Sequence, residues 1–154
     1  MHKHLLIGIL ALVALIWTGC TDKTKEVKEF HSDTFDITVL SADWEFDNKT
    51  MQFYYHCYLD EISSEVYNYG NWTLSREFDG GSKNAYQVAL PMSTFMTDTL
   101  PNKSVYYYTE YLDYRVGVGY VEIQVTNSDY FYPKDAKGKL IKPDNMYFRM
   151  QVMY

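Results

Sequence analysis

His56 and Cys57 are adjacent, and with His31 they are the only imidazole and thiol groups beyond residue 20. Nucleophilic catalysis needs an activated Ser, Cys or Thr beside a base. Alternation along an extended chain puts His56 on the polar face of its strand and Cys57 on the apolar face. No G-x-S-x-G turn occurs. A zinc site needs three or four clustered His, Cys or carboxylate ligands, which one thiol and two distant imidazoles do not supply. Asp43, Glu45, Asp60, Glu61 and Asp113 are carboxylates of the kind that work in pairs on glycosidic bonds, but acids at strand ends are mostly solvated. Asp129, Asp135 and Asp144 bracket one segment without the spacing of an EF-hand calcium loop. The expectation is a non-enzymatic protein with no metal and no cofactor.

Binding chemistry is better represented. Sixteen Tyr, eight Phe and three Trp make 18% of the chain aromatic. Tyr54, His56 and Tyr58 fall on one face of an alternating segment. A second segment offers Tyr106 and Tyr108 on one face and Tyr107 and Tyr111 on the other, one set for the core and one for solvent. Exposed rows of this kind stack against sugar rings or anchor a protein partner at low entropic cost. The plainer reading is that paired Tyr side chains cover the sheet by cross-strand packing. Tyr54, His56, Tyr58, Tyr106 and Tyr108 are the ligand-binding candidates.

The N-terminus carries a different chemistry. Lys3, with His2 and His4, precedes an unbroken apolar run over residues 5–16, followed by Thr18, Gly19 and Cys20. The run is shorter than the ~20 residues that cross a bilayer as a helix. It fits the apolar region of a secretory signal peptide. The ending resembles the lipobox of bacterial lipoproteins, with Trp17 standing where Leu is usual. That resemblance implies acylation of Cys20, removal of residues 1–19 and anchoring through several acyl chains, since one chain alone holds only marginally. Cys57 then has no partner in its own chain, and the domain relies on its core rather than on a disulfide.

Composition limits the partners. Net charge is −6, and loss of Lys3 with the leader makes it more negative still. This argues against nucleic acid, whose phosphates call for clustered Lys and Arg, and against electrostatic adhesion to anionic lipid. The expected partners are a membrane, through the lipid, and an unidentified protein or glycan.

The elements expected to position these residues are strands, because Tyr, Thr, Val and Phe suit a pleated, half-buried surface. Residues 20–33 read as the lipidated Cys and a polar tether. From residue 34 the apolar period becomes two, with Phe35, Ile37 and Val39 on one face. Trp44 is a core anchor, and Asp47, Asn48 and Lys49 form a turn. Residues 51–59 are the clearest strand, with Met51, Phe53, Tyr55, Cys57 and Leu59 toward the core. Over residues 61–69 the alternation stops. Ile62, Val66 and Tyr69 recur at helical spacing, Ser63 or Ser64 caps, and Gly70 ends the helix in a left-handed conformation. Further strands are expected over 71–78, 85–90, 104–116, 120–126 and 146–154. Turns separate them at residues 79–82 and at Gly117 and Gly119, and loops at 97–103 and 129–144. The last strand is expected inside the sheet, since a terminal strand must be tied down to be ordered.

Several segments together carry a wider resemblance. They are the lipobox, Asp43-Trp44 followed by a turn and Gln52-Phe53-Tyr54, the crossover ending Tyr67-Asn68-Tyr69-Gly70, and Glu122-Ile123-Gln124-Val125 before Asp129. In this order they resemble a family of small lipoproteins of Gram-negative gut anaerobes. The resemblance spans residues 35–154. It implies an immunoglobulin-like sandwich on a lipid tether in the cell envelope, on the outer membrane. It brings no activity, ligand or catalytic residue. Asp98-Thr99-Leu100 resembles the O-glycosylation site of such envelope proteins, which makes Thr99, in an expected loop, a candidate for modification.

The expected protein is an all-β antiparallel sandwich, immunoglobulin-like, of seven to eight strands with one short helix or crossover near residues 61–69. Its organisation is signal peptide 1–19, tether 20–33 and one domain over 34–154. Its expected role is that of an accessory or protein-interaction module, with a glycan-binding lipoprotein using an exposed Tyr/Trp platform as the alternative.

Overall fold

The computed structural model describes residues 31–99 and 103–154. The segment read as a signal peptide, Cys20 and the expected tether up to residue 30 therefore lie outside the described residues. In order come β1 (Ser32–Val39), β2 (Glu45–Asp47), β3 (Gln52–Tyr58), α1 (Ser64–Tyr69), β4 (Asn71–Phe78), β5 (Tyr86–Ala89), β6 (Met92–Thr99), β7 (Val105–Gly117), β8 (Tyr120–Asn127) and β9 (Met146–Met153). All pairings are antiparallel, and two sheets form, in the orders β1-β9-β4-β5 and β2-β3-β8-β7-β6. The chain is the all-β sandwich that its alternating pattern predicts, with nine described strands rather than seven or eight.

The core is the set of inward positions of both sheets. Ile37 and Val39 from β1, Leu74 from β4, and Phe148, Met150 and Val152 from β9 meet Phe53 from β3, Leu112 from β7 and Val121, Ile123 and Val125 from β8. Burying each such side chain contributes about 1.5–3 kcal/mol. Trp44 is fully buried at the entry to β2, and Met51, Tyr55, Cys57 and Leu59 pack against the core as the period-two reading of β3 requires. β9 lies between β1 and β4, so the final strand is internal to its sheet.

The crossover from β3 to β4 is helical. The Ser63 hydroxyl accepts from the Val66 amide at 3.2 Å and so caps α1, while Ile62 and Val66 are buried. Two expectations need correcting here. Tyr69 is 83% exposed rather than part of the buried stripe. Gly70 ends the helix with φ −81°, in extended conformation, so left-handed freedom is not its role. A Cβ there would sit 2.6 Å from the Val66 carbonyl oxygen and 3.1 Å from that of Met153, and glycine permits this close approach.

Two boundaries also move. β1 starts at Ser32, and His31 exchanges two backbone hydrogen bonds with Tyr154, so the domain begins before residue 34. The loop expected over 97–103 is shorter, because β6 runs to Thr99. Thr99 is accordingly the exposed last residue of a strand, paired with Val105, and not a loop residue. β6 itself has a weak sequence signature. Its inward set, Met92, Thr94, Met96 and Asp98, and its outward set, Ser93, Phe95, Thr97 and Thr99, are both mixed in polarity, so no period stands out.

Candidate interaction surface

The outer face of the five-stranded sheet is built from alternate residues of every strand. On β3 it takes Tyr54, His56 and Tyr58, as the sequence predicts, and pairing sets them opposite Gln124, Glu122 and Tyr120 of β8. Tyr54 donates to the Glu45 carboxylate at 2.6 Å, and that bond holds its phenol above the ordinary value. The His56 ring lies 4.8 Å from Tyr58 and 4.4 Å from Tyr120, nearly parallel to the latter. Its Nδ1 is 3.8 Å from the Glu122 carboxylate. Tyr58 is 78% exposed at the end of this row. Tyr54 and His56 are thus held by neighbours, and Tyr58, which touches His56 on one side, is the most exposed of the three.

β7 divides its tyrosines differently from the candidate list. Tyr106 and Tyr108 point inward and pack on Phe131, with ring centroids 4.0 and 5.6 Å away, and Tyr108 is 7% exposed. They do not join Tyr54, His56 and Tyr58 on one surface, because one residue of register exchanges the two faces of a strand. The exposed tyrosines of β7 are Tyr107 and Tyr111, the alternate set.

These meet an aromatic residue that the sequence reading missed. Phe95 of β6 is 69% exposed and stacks on Tyr107 at 5.7 Å with 19° between the rings. Its cross-strand partner is Thr109, and those of Tyr107 and Tyr111 are Thr97 and Ser93. Phe95, Tyr107, Tyr111 and Val105 together make an apolar outer face on the last two strands of the sheet. β6 is the outermost of these strands, and its far side has no strand partner among the described residues. The sequence signal for this site was a lone Phe among Ser, Thr and Asp.

Beside the patch, the segment after β8 forms one wall of a cleft of about 920 Å³ lined by Asp98, Thr99, Tyr130, Phe131, Lys134 and Asp135. Asp129 and Tyr130 both have positive φ, 56° and 53°, an uncommon conformation for residues with side chains, and Tyr130 is exposed. The Asp135 carboxylate accepts from the amides of Lys137 and Lys139 at 2.8 and 2.9 Å and so organises its own turn.

Burial pushes the Cys57 thiol up, with the charge of Glu61 adding to the effect, so it stays protonated at neutral pH. Among the described residues, no three His, Cys, Asp or Glu side chains group as a metal site, and no helix is long and apolar enough to cross a membrane. No protein family, curated protein or solved structure matches this chain.

Proposed function

We propose that the chain is a lipid-anchored protein of the cell envelope, on the outer membrane, that acts without catalysis by binding a protein partner at the β6 edge. The anchor and location rest on the leader and Cys20 and on the resemblance to small lipoproteins of gut anaerobes. The binding mode rests on one observation: an eight-residue edge strand whose outward Phe95 stacks on Tyr107 of the neighbouring β7. An unpaired edge offers a row of backbone donors and acceptors to an extended segment of another protein, and adjacent side-chain pockets give selectivity. The protonated thiol of Cys57, and an imidazole of His56 wedged between two tyrosines, suit a scaffold better than a nucleophilic site.

The near-parallel rings of Phe95 and Tyr107 also suit stacking on a sugar. Their cross-strand partners are Thr97 and Thr109 rather than Asp, Asn or Arg, so the planar hydrogen-bonding groups that orient a sugar are not paired with them. This favours the protein partner.

The test is site-specific photocrosslinking in intact cells. A crosslinker at position 95 should give one defined protein adduct that disappears in Tyr107→Asp. A crosslinker at Thr73, exposed on the other sheet, should give none. Equal adducts at both positions, or an adduct at 95 indifferent to Tyr107→Asp, would overturn the assignment. A glycan-array signal lost in Phe95→Ala would transfer the role to carbohydrate.

A further inference from the structure

The chain enters the domain at one end of the sandwich. His31 and Tyr154 exchange backbone hydrogen bonds of 2.8 and 3.0 Å there. The β3–β4 and β7–β8 connections close the same end. The Leu59 amide donates to the Gly119 carbonyl, and the Gly119 amide donates to the Ile62 carbonyl, which ties one connection to the other. Gly70, just after α1, lies against the Met153 carbonyl. The chain entry, α1 and the β7–β8 turn thus form one connected surface.

Exposed rings gather on it. Tyr69 and Tyr58 are the two most exposed large hydrophobic residues described, at 83% and 78%. Both stand at this end, where Tyr67, Tyr154, Val118 and Met153 are exposed as well. Charge is divided along the same axis. All seven Lys residues beyond residue 30 fall in the β2–β3, β4–β5, β6–β7 and β8–β9 connections, at the opposite end. The β3–β4 and β7–β8 connections carry Asp60, Glu61 and Glu65 and no Lys or Arg.

Tyrosine suits a bilayer interface, because its ring is apolar while its hydroxyl stays wet. The chain from Cys20 to His31 reaches at most about 40 Å when fully extended. β7 has 13 residues and is about 43 Å long. An anchor at Cys20 therefore lets the tyrosine end meet the bilayer with slack to spare. The lysine end touches it only with the leash drawn out along the whole domain.

We propose that the end carrying Tyr58 and Tyr69 rests on the bilayer, its rings among zwitterionic lipid headgroups. The inference rests on the lipid anchor proposed above. Asp60, Glu61 and Glu65 make this a contact of rings and not of charge, and anionic lipid opposes it. The sandwich then stands upright, with the lysine-bearing loops outermost.

The test uses the full chain, isotopically labelled, from a host that acylates lipoproteins. It is reconstituted in phosphatidylcholine nanodiscs containing a headgroup nitroxide, and its mass reports the acyl chains. Loss of NMR signal should concentrate at Tyr58, Tyr69 and Val118 and spare Lys49, Lys83 and Lys137. In the double variant Tyr58→Ser, Tyr69→Ser, shown to be folded by its spectral dispersion, the loss should even out between the ends. Exchange of phosphatidylcholine for phosphatidylglycerol should reduce the loss at Val118. An acylated chain with equal loss at both ends, with a pattern indifferent to the double variant, or with contact strengthened by phosphatidylglycerol overturns the inference and leaves the anchor standing. A mass without acyl chains overturns the anchor, and this inference with it.

Discussion

The hydroxyl of Tyr132 donates to the backbone carbonyl of Met51, joining the long segment after β8 to the tight turn between β2 and β3. Tyr132 is 6% exposed, and its ring meets Phe46 and Phe53 edge-on at 5.1 and 5.5 Å. Tyr132 thus fixes the segment to the core, although most of the segment's own side chains face water.

Tyr132→Phe should cost about 1–2 kcal/mol, because it leaves the Met51 carbonyl without its donor. Tyr132→Ala should cost about 3–5 kcal/mol through the added cavity. Urea unfolding measures both. Equal losses in the two variants would mean that the hydroxyl, and not the ring, ties down the segment.

Glu110→Gln should stabilise the protein at neutral pH. Burial holds the Glu110 carboxyl above its ordinary 4.5, with Arg76 opposing the shift and Asp144 adding to it. A carboxyl raised on folding destabilises once it must ionise, so the penalty is absent below 4.5 and grows as pH rises to the folded value. The advantage of the variant over the parent should accordingly vanish in acid. Melting temperatures at pH 3.5 and pH 7 check this, and a gain of the same size at both would contradict it.

Asp36 and Arg149 give the opposite sign. The Arg149 guanidinium donates to Asp36 at 2.7 Å across the β1–β9 pair and holds that carboxyl below its ordinary 3.8. The stabilisation is present above 3.8 and is lost as pH falls through the folded value. Both groups are exposed, so the effect on stability is slight. A carboxyl NMR titration should show Asp36 titrating low and returning to its ordinary value in Arg149→Gln.

Met150 is fully buried at the centre of β9 and pairs with Phe35 on one side and Leu74 on the other. Met150→Ala should cost about 2–5 kcal/mol. Deleting residues 150–154 should prevent folding, since it removes half of the strand that joins β1 to β4. Circular dichroism of the truncated chain would show a folded sheet if β1 and β4 were held by other means.

Most of the frame could be read from residue types. β1 alternates cleanly because one face of it is buried, and Ser63 with Val66 announced the helix. The candidate surface was less legible. Tyr106 and Tyr107 are chemically alike, so their order in the chain does not say which faces the core. That choice is made by Phe131, which lies on Tyr106 from a segment with no periodic pattern. Phe95 was hidden for a related reason: β6 is an edge strand with mixed polarity on both faces. The pairing of Glu110 with Asn127 depends on ladder register between β7 and β8, which no spacing within either strand reveals.

The union of β1 with β9 has a kinetic consequence. Asp36 and Arg149 are 113 residues apart, yet they are cross-strand partners, and among the described residues β1 has no other strand beside it. Closing so long a loop is entropically slow, and proteins dominated by distant pairings fold in milliseconds to seconds rather than microseconds. The β7–β8 hairpin, closed at Val118 and Gly119, can form early, whereas the four-stranded sheet must wait for residues 146–153. A nascent chain, made from its N-terminus, presents β1 first and completes it last. In that interval the apolar side of β1 is bare, and this nascent state, rather than the finished domain, is the form most in need of a chaperone.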